Sequence, residues 1–366
     1  MRLAIITTGG TGGHVFPALA LAEELRRRHR DLRVLFVGGR HGREGDFARK
    51  AGLEFVGLPV RGFLGRGLSA FGAAVGLARG LARSWWMMFR MRPDVVVGFG
   101  GYAGFAPVAM AALRGVPCAL HEQNSRPGSA NRMLGKWVDR IFLSFPDEAG
   151  FFDAKKSLLT GNPVRANICE AAEGGVPREP GARCRRVLVV GGSQGARAIN
   201  EAVVEGLAGL RSKGFELWHQ TGADEYERVR AAYDVAGWTG EGARVEAFIE
   251  DMAAAYAWAD VVLCRAGATT VAELTVTGKP SVLVPYPFAT HNHQLANARH
   301  LERAGAAVIL MQNLLHEMDL GQSLEQFFAE PDKLERMSRA AKSLGLPRAA
   351  AHLADEIEAL VARRAN

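Results

Sequence analysis

Leu3-Ala4-Ile5-Ile6 runs into Gly9-Gly10-Thr11-Gly12-Gly13-His14, and near the middle of the chain Val187-Leu188-Val189-Val190 runs into Gly191-Gly192-Ser193-Gln194-Gly195. Each is a strand-like apolar run, then a glycine loop, then a helix-forming stretch. Such a unit aims free backbone N–H groups and the positive end of a helix dipole at an anion. Two of them in one chain predict two nucleotide-binding-type domains facing a cleft, one suited to a diphosphate donor and the other to an acceptor.

Outward from these loops, strand-like runs alternate with helical patterns. Strands are expected at 2–7, 33–37, 94–98, 117–121 and 140–143, then at 186–190, 215–219, 244–247, 260–264, 281–284 and 306–309. Amphipathic helices are expected at 17–29 and 197–212. This order argues a doubly wound, mainly parallel sheet in each half. Ligands of such sheets lie beyond the carboxyl ends of the strands, so the residues just after each strand carry the chemistry. The boundary is expected near Gly161-Asn162-Pro163, where Pro163 ends regular structure, and 173–181 reads as an exposed loop. A last helix at about 349–363 carries Leu353, Ile357, Leu360 and Val361 as a stripe that must pack on something.

A chain of 366 residues, 48% hydrophobic and 23% charged, suits two domains of ordinary size. Its net charge of +7 favours anionic partners without choosing among phosphates, nucleic acid and acidic lipid. Cys118, Cys169, Cys184 and Cys264 form no C-x-x-C pair, as expected of free thiols in a reducing compartment. The first apolar run ends at the glycines, too short for a signal peptide. Val95 to Leu113 carries no charge, but Gly98, Gly100, Gly101, Gly104 and Pro107 interrupt it, so a strand and a turn are expected rather than a membrane span.

The chemistry-bearing motifs each have a plainer alternative. Gly10 and Gly12 fit the start of a dinucleotide fingerprint, but Val15 stands where its third glycine belongs, and no Walker lysine follows either loop. His14 can act as a general base beside the loop or serve only in packing. His121-Glu122-Gln123-Asn124 at a strand's carboxyl end can meet a ligand or cap the next segment. Thr270-x-x-Glu273 is a capping-box pattern, and on the residues alone the cap is favoured over a role for Glu273 on a ribose. His291 and His293 lack a clear third ligand, so a metal is not expected there.

Between Phe55 and Pro93 there is no acidic residue, while Arg61, Arg66, Arg79, Arg83, Arg90 and Arg92 all fall within it. On a helix over about 69–90, Leu77, Leu81, Trp85 and Met88 are expected to pack inward. Phe71, Val75 and Trp86 flank the row formed by Arg79, Arg83 and Arg90, and Phe63 and Leu64 sit on the preceding loop tip. Basic and aromatic residues so mixed suit an anionic bilayer surface. No nucleic-acid-binding motif accompanies them.

Taken in order, the motifs G-G-T-G-G-H-V-F-P at 9–17, G-F-G-G-Y at 98–102, H-E-Q-N at 121–124, G-N-P-V-R at 161–165, G-G-S-Q-G-A at 191–196, F-I-E-D-M at 248–252, R-A-G-A-T-T-V-A-E at 265–273 and H-Q at 293–294 resemble the MurG family of peptidoglycan N-acetylglucosaminyltransferases, within glycosyltransferase family 28. The resemblance spans essentially the whole chain. It implies the GT-B fold: an acceptor- and membrane-binding domain of residues 1–164 plus 347–366, and a UDP-GlcNAc-binding domain of residues 165–346. It implies transfer of N-acetylglucosamine, with inversion, from UDP-GlcNAc to the C4 hydroxyl of the muramic sugar of undecaprenyl-diphosphate-linked MurNAc-pentapeptide (lipid I), giving lipid II at the cytoplasmic face of the bacterial inner membrane. Neither a cofactor nor a metal is implied.

The resemblance carries donor contacts onto Asn124, Arg165, Ser193, Ile249, Ala268, Thr269, Thr270, Glu273, His293 and Gln294, with Thr11, Gly12 and Gly13 counted beside them. Glu273 then anchors the ribose, and Ile249 meets the uracil through its backbone. Gly10, Thr11, His14 and Tyr102 line the acceptor side, with loop 9–13 receiving the acceptor diphosphate and His14 as candidate base. Many relatives have Leu where Thr269 stands and Gln where His293 stands. A UDP-sugar epimerase and a non-catalytic membrane sensor of sugar nucleotides are the competing functions.

Overall fold

The computed structural model describes residues 1–10, 12–60, 70–174, 185–192, 194–240 and 242–365. Thr11, Phe63, Leu64 and Ser193, all expected to touch a ligand or a membrane, lie outside the described residues, as does the side chain of Phe71. The chain divides into two compact units, Met1–Arg165 with Pro347–Asn366 and Ala166–Leu346. Arg165 therefore falls in the first unit, one residue off the expected boundary.

The first unit contains β1 (Leu3–Thr7), β2 (Arg33–Gly39), β3 (Glu54–Leu58), β4 (Val95–Gly98), β5 (Cys118–Glu122), β6 (Arg140–Leu143) and β7 (Ser157–Leu159). They form one sheet in the order β3-β2-β1-β4-β5-β6-β7, every pairing parallel. The second unit contains β8 (Arg186–Val190), β9 (Glu216–Gln220), β10 (Ala243–Glu246), β11 (Val261–Cys264), β12 (Ser281–Leu283) and β13 (Ala307–Ile309). Their order, β10-β9-β8-β11-β12-β13, repeats the first sheet's winding, again all parallel. Both sheets reverse direction of winding beside the first strand, between β1 and β4 and between β8 and β11. That reversal opens a crevice at the strands' carboxyl ends, where the two glycine loops lie.

The central strands are buried on both faces, as β1 and β4 show by having no exposed residue. Each first strand is tied down by the aspartate that precedes the neighbouring strand. Asp94 accepts from the Leu3 amide at 2.9 Å, and Asp260 accepts from the Arg186 amide at 2.9 Å. Two strands escaped the sequence reading, β3 and β7. They are the two edge strands of the sheet, short and only partly buried, and so give no periodic signal.

Glycine is required where the loops meet. Gly101, at φ +77°, packs against the Gly9 carbonyl, and Gly195, also at φ +77°, packs against the Thr221 carbonyl. In each unit the glycine loop after the first strand thus docks on the turn after a neighbouring strand, leaving no room for a β-carbon.

The helix after β1 is Gly12–Arg28, starting well before the expected residue 17. Pro17, which reads as a helix start, is carried inside it. Gly12, Gly13 and His14 are therefore the first turn of the helix, not its preceding loop. The final helix, Ala349–Ala365, buries Leu353, Ile357 and Leu360 in the same core as Leu21 and Leu25. Arg28 fastens it, reaching Asp355 at 2.6 Å and the Ala351 carbonyl at 2.9 Å, while Arg364 reaches Asp139 at 2.8 Å.

The uncharged stretch forms β4 and the helix Tyr102–Leu113. Among the described residues no helix is long and apolar enough to cross a membrane. The basic segment forms the helix Ala70–Met91. Leu77, Leu81 and Met88 pack inward as expected, but Trp85 is exposed beneath the Arg114 guanidinium, 4.8 Å from its ring. A ring that stacks on a cation gains at the surface what burial would otherwise supply.

Candidate active site

In the first unit, four residues at the ends of β1, β4 and β5 converge. His14 is half-buried in the first turn of its helix, and its Nδ1 lies 2.7 Å from Gln123 Oε1. Gln123 Nε2 lies 3.0 Å from His121 Nδ1 and donates to the His121 carbonyl at 3.1 Å. His121 Nε2 lies 3.0 Å from the Gly161 carbonyl, and the imidazole stacks on Phe99 with ring centroids 5.1 Å apart. Burial lowers the pKa of His14 below 6.5, against hydrogen bonds that the ring donates to Gln123 and the Phe99 backbone, which raise it. Burial likewise pushes His121 down to about 4. Both imidazoles are therefore neutral at pH 7.

The tetrad at 121–124 is neither a simple cap nor a row of exposed ligands. His121, Glu122 and Gln123 are all buried. Glu122 accepts from the amides of Asn124 at 3.0 Å and Gly128 at 3.3 Å and from Asn131 Nδ2 at 2.8 Å. Burial raises its pKa, and these donors oppose the rise. It holds the loop bearing Asn124 and stands away from His14. Tyr102 begins its helix with its ring 44% exposed, open to a ligand.

Loop 9–13 was to offer its amides to a diphosphate, yet the Gly10 amide donates to Glu44 Oε1 at 2.8 Å. Glu44 is 2% exposed, and its other oxygen meets no hydrogen-bond donor among the described residues. No local pattern in 40–44 signals this contact; Glu44 reaches the loop only because its helix packs beside β2. Arg165 lies over the Phe16 ring, its guanidinium carbon 4.9 Å from the centroid.

In the second unit, the helix Ala268–Thr277 starts beyond β11 with Gly267 as N-cap and no side chain capping it. Thr270 is inside the helix, so the expected capping box is absent. Glu273 is instead buried, and its Oε2 accepts from the Tyr256 hydroxyl at 2.9 Å. Ala268 and Thr269 are buried and Thr270 is half-buried on the same first turn. Ile249, expected to meet a uracil through its backbone, has its amide donating to Gln220 Oε1 at 2.9 Å, while Gln220 Nε2 donates to the Gly192 carbonyl at 2.9 Å. Gln220 thus clasps the glycine loop to segment 248–250. Gln294 Oε1 accepts from the Tyr286 amide at 2.9 Å, and His293 Nδ1 donates to the Thr290 carbonyl at 2.8 Å. His291 and Asn292 before them hold left-handed backbone at φ +55° and +53°. The sequence reading missed Gln220 and Tyr256, which lie in a strand and a helix of ordinary composition.

Both units match known proteins. The glycosyltransferase family 28 N-terminal domain matches residues 4–143, and the glycosyltransferase family 28 C-terminal domain matches residues 186–353. The UDP-N-acetylglucosamine--N-acetylmuramyl-(pentapeptide) pyrophosphoryl-undecaprenol N-acetylglucosamine transferase of Nitratidesulfovibrio vulgaris strain DP4 is 57% identical over 362 residues, covering 99% of this chain and 98% of the relative. The protein of the same name from Lawsonia intracellularis is 45% identical over 365 residues, covering 100% of this chain and 99% of the relative. The crystal structure of Acinetobacter baumannii MurG superposes with a TM-score of 0.75 at 30% identity, covering 98% of this chain and 99% of that one. A UDP-GlcNAc 2-epimerase from Neisseria meningitidis shares the fold at a TM-score of 0.67 and 14% identity, with 97% of this chain and 99% of that one covered. The chain belongs to glycosyltransferase family 28.

Proposed function

We propose that this protein transfers N-acetylglucosamine from UDP-GlcNAc to the C4 hydroxyl of the muramic sugar of lipid I, with inversion, forming lipid II and UDP. The observation that carries this reading is 57% identity, sustained from end to end, to a transferase of that name. The epimerase shares only the fold. In this reading the second unit holds the donor: the first-turn amides of Ala268, Thr269 and Thr270 meet the diphosphate, Glu273 the ribose, and Ser193, Ile249, His293 and Gln294 the remaining donor groups. Arg165 and Asn124 contribute from the first unit. Gly10, Thr11, His14 and Tyr102 serve the acceptor side, Thr11, Gly12 and Gly13 are counted with the donor contacts, and His14 takes the proton of the attacking hydroxyl. The helix dipole at Ala268 stabilises charge on the leaving diphosphate. Incubation with labelled UDP-GlcNAc and a lipid I analogue should give labelled lipid. Free epimer, or binding with no product, would overturn the assignment.

The Tyr256–Glu273 bond supports the ribose role, because it fixes one carboxylate oxygen and holds the orientation in which the other meets a ligand's hydroxyl. Glu273→Gln should raise the KM for UDP-GlcNAc about tenfold to a hundredfold, since hydrogen bonds to a charged group are worth ~1.5–3 kcal/mol. Tyr256→Phe should raise it less, with kcat nearly unchanged. An unaltered KM in both variants would remove Glu273 from the donor site.

For localisation we propose peripheral attachment to the cytoplasmic face of the inner membrane through the helix Ala70–Met91. Trp86 is 59% and Phe89 58% exposed, beside exposed Arg79, Arg83 and Arg90. Phe63, Leu64, Phe71 and Val75 belong to the same expected surface. Each exposed ring buried in a bilayer interface contributes ~1.5–3 kcal/mol. A Trp86→Ala, Phe89→Ala double variant should lose binding to anionic phospholipid vesicles at least about tenfold. Equal binding of the variant and the parent would exclude this helix as the docking surface.

A further inference from the structure

We propose that His121 and Gln123 are positioning residues that fix which nitrogen of His14 carries its proton, leaving Nε2 as the free base. The proposal rests on the reading of His14 as the base and adds the device that sets its tautomer.

The argument follows the polarity of one hydrogen-bond chain. A backbone carbonyl can only accept, so His121 Nε2, 3.0 Å from the Gly161 carbonyl, must carry a proton. A neutral His121 then has a bare Nδ1, which can only accept. The Gln123 amide atom 3.0 Å away therefore donates, and the same atom lies 3.1 Å from the His121 carbonyl, which also demands a donor. Two independent acceptors thus orient the Gln123 amide, with its nitrogen toward His121 and its oxygen toward His14. The Gln123 oxygen, 2.7 Å from His14 Nδ1, accepts in turn, so His14 is protonated on Nδ1. A neutral His14 then presents a lone pair on Nε2. The chain starts in the G-N-P turn at Gly161, passes through the H-E-Q-N tetrad and ends at the glycine loop.

The ring's orientation agrees. A β-carbon at Gly100 would lie 3.5 Å from His14 Nδ1 and Cε1, whereas one at Gly10 would lie 3.9 Å from Cδ2, the carbon bonded to Nε2. The protonated edge faces the β4 turn, and the Cδ2 edge faces the loop assigned to the acceptor. Charged and titratable groups around this point are few among the described residues. His121 on β5 is neutral, Glu122 is turned to Asn124, Gly128 and Asn131, Glu44 is committed to the Gly10 amide, and Arg165 lies over Phe16.

The test combines histidine nitrogen NMR with kinetics on the full chain. In protein labelled with 15N-histidine, His14 at pH 7.5 should be neutral with its proton on Nδ1. Gln123→Leu should weaken that preference, the Phe99 backbone remaining as the other acceptor of the ring, so that the Nε2–H form grows, and kcat should fall about tenfold or more with the KM for UDP-GlcNAc unchanged. Gln123→Glu places a carboxylate on Nδ1–H, favours the imidazolium and should move the acid limb of the kcat/KM profile upward by about one pH unit or more. A merely structural Gln123 would move neither the tautomer nor the limb. Parent protein with the His14 proton on Nε2, or Gln123→Leu with Nδ1–H and full kcat retained, would overturn the proposal. If the tautomers behave as expected but His14→Ala retains turnover, the base assignment fails and the relay stands. If turnover needs His14 and the tautomer is reversed, the relay fails and the base assignment stands.

Discussion

His14→Ala should cut turnover by about 10²–10⁴-fold, the usual contribution of a positioned general base, while UDP-GlcNAc binding stays near that of the parent. His14 is not among the residues assigned to the donor, so a donor-binding measurement should report an intact site. The pH profile carries a second expectation. Burial holds the His14 imidazole below 6.5, so the base is already neutral at pH 7. Activity should be flat around neutrality and fall only as the pH drops through that lowered value, where the ring acquires a proton. In His14→Ala this acid limb should disappear from whatever activity remains. Near-normal turnover with an unchanged profile would take the proton-accepting role away from His14.

Gly101→Ala should abolish stable folding of the first unit. The residue sits at φ +77°, and a β-carbon there would lie 1.9 Å from the Gly9 carbonyl oxygen and 2.7 Å from Gly9 Cα. The left-handed backbone alone costs an alanine ~1–2 kcal/mol. The clash is with main chain of the glycine loop, which has no rotamer by which to yield. We expect a total loss above about 4 kcal/mol, a large part of the stability of an ordinary domain. Gly72→Ala is the matching control. It lies on the helix Ala70–Met91, where an added β-carbon meets nothing within 4 Å, so it should gain up to ~1 kcal/mol. Denaturant midpoints measured side by side decide the matter. Equal midpoints for Gly101→Ala and the parent would show that the two turns are not packed as described.

Most strands were legible because the central ones are apolar on both faces and flanked by glycine turns, as in Val187–Val190 and Val95–Val97. The errors have specific causes. β3 and β7 are the two edge strands of their sheet and lack the pattern. Pro17 reads as a helix start yet is tolerated within the first turns. Trp85 fits an inward stripe, but an arginine from another helix, Arg114, covers it where it stands.

The candidate site was legible as a set of positions rather than as a set of contacts. H-E-Q-N was seen to be a polar run at a strand's end, but its direction of proton donation was not readable. Thr270-x-x-Glu273 matches a cap on paper, yet the helix begins at Ala268, so the pattern falls inside it and Glu273 binds Tyr256.

What the chain's order of residues determined alone was local and periodic: alternating strands and helices, glycine turns where no β-carbon fits, and the motif series that marks the family. Tertiary structure decided who bonds to whom. The amides of Gly10 and Ile249 are held by Glu44 and Gln220, residues far off in sequence. A buried polar group left without a partner costs ~1–3 kcal/mol, so most take a partner from whichever element packs beside them. That neighbour is set by the winding of the sheet, and no spacing along the chain encodes it.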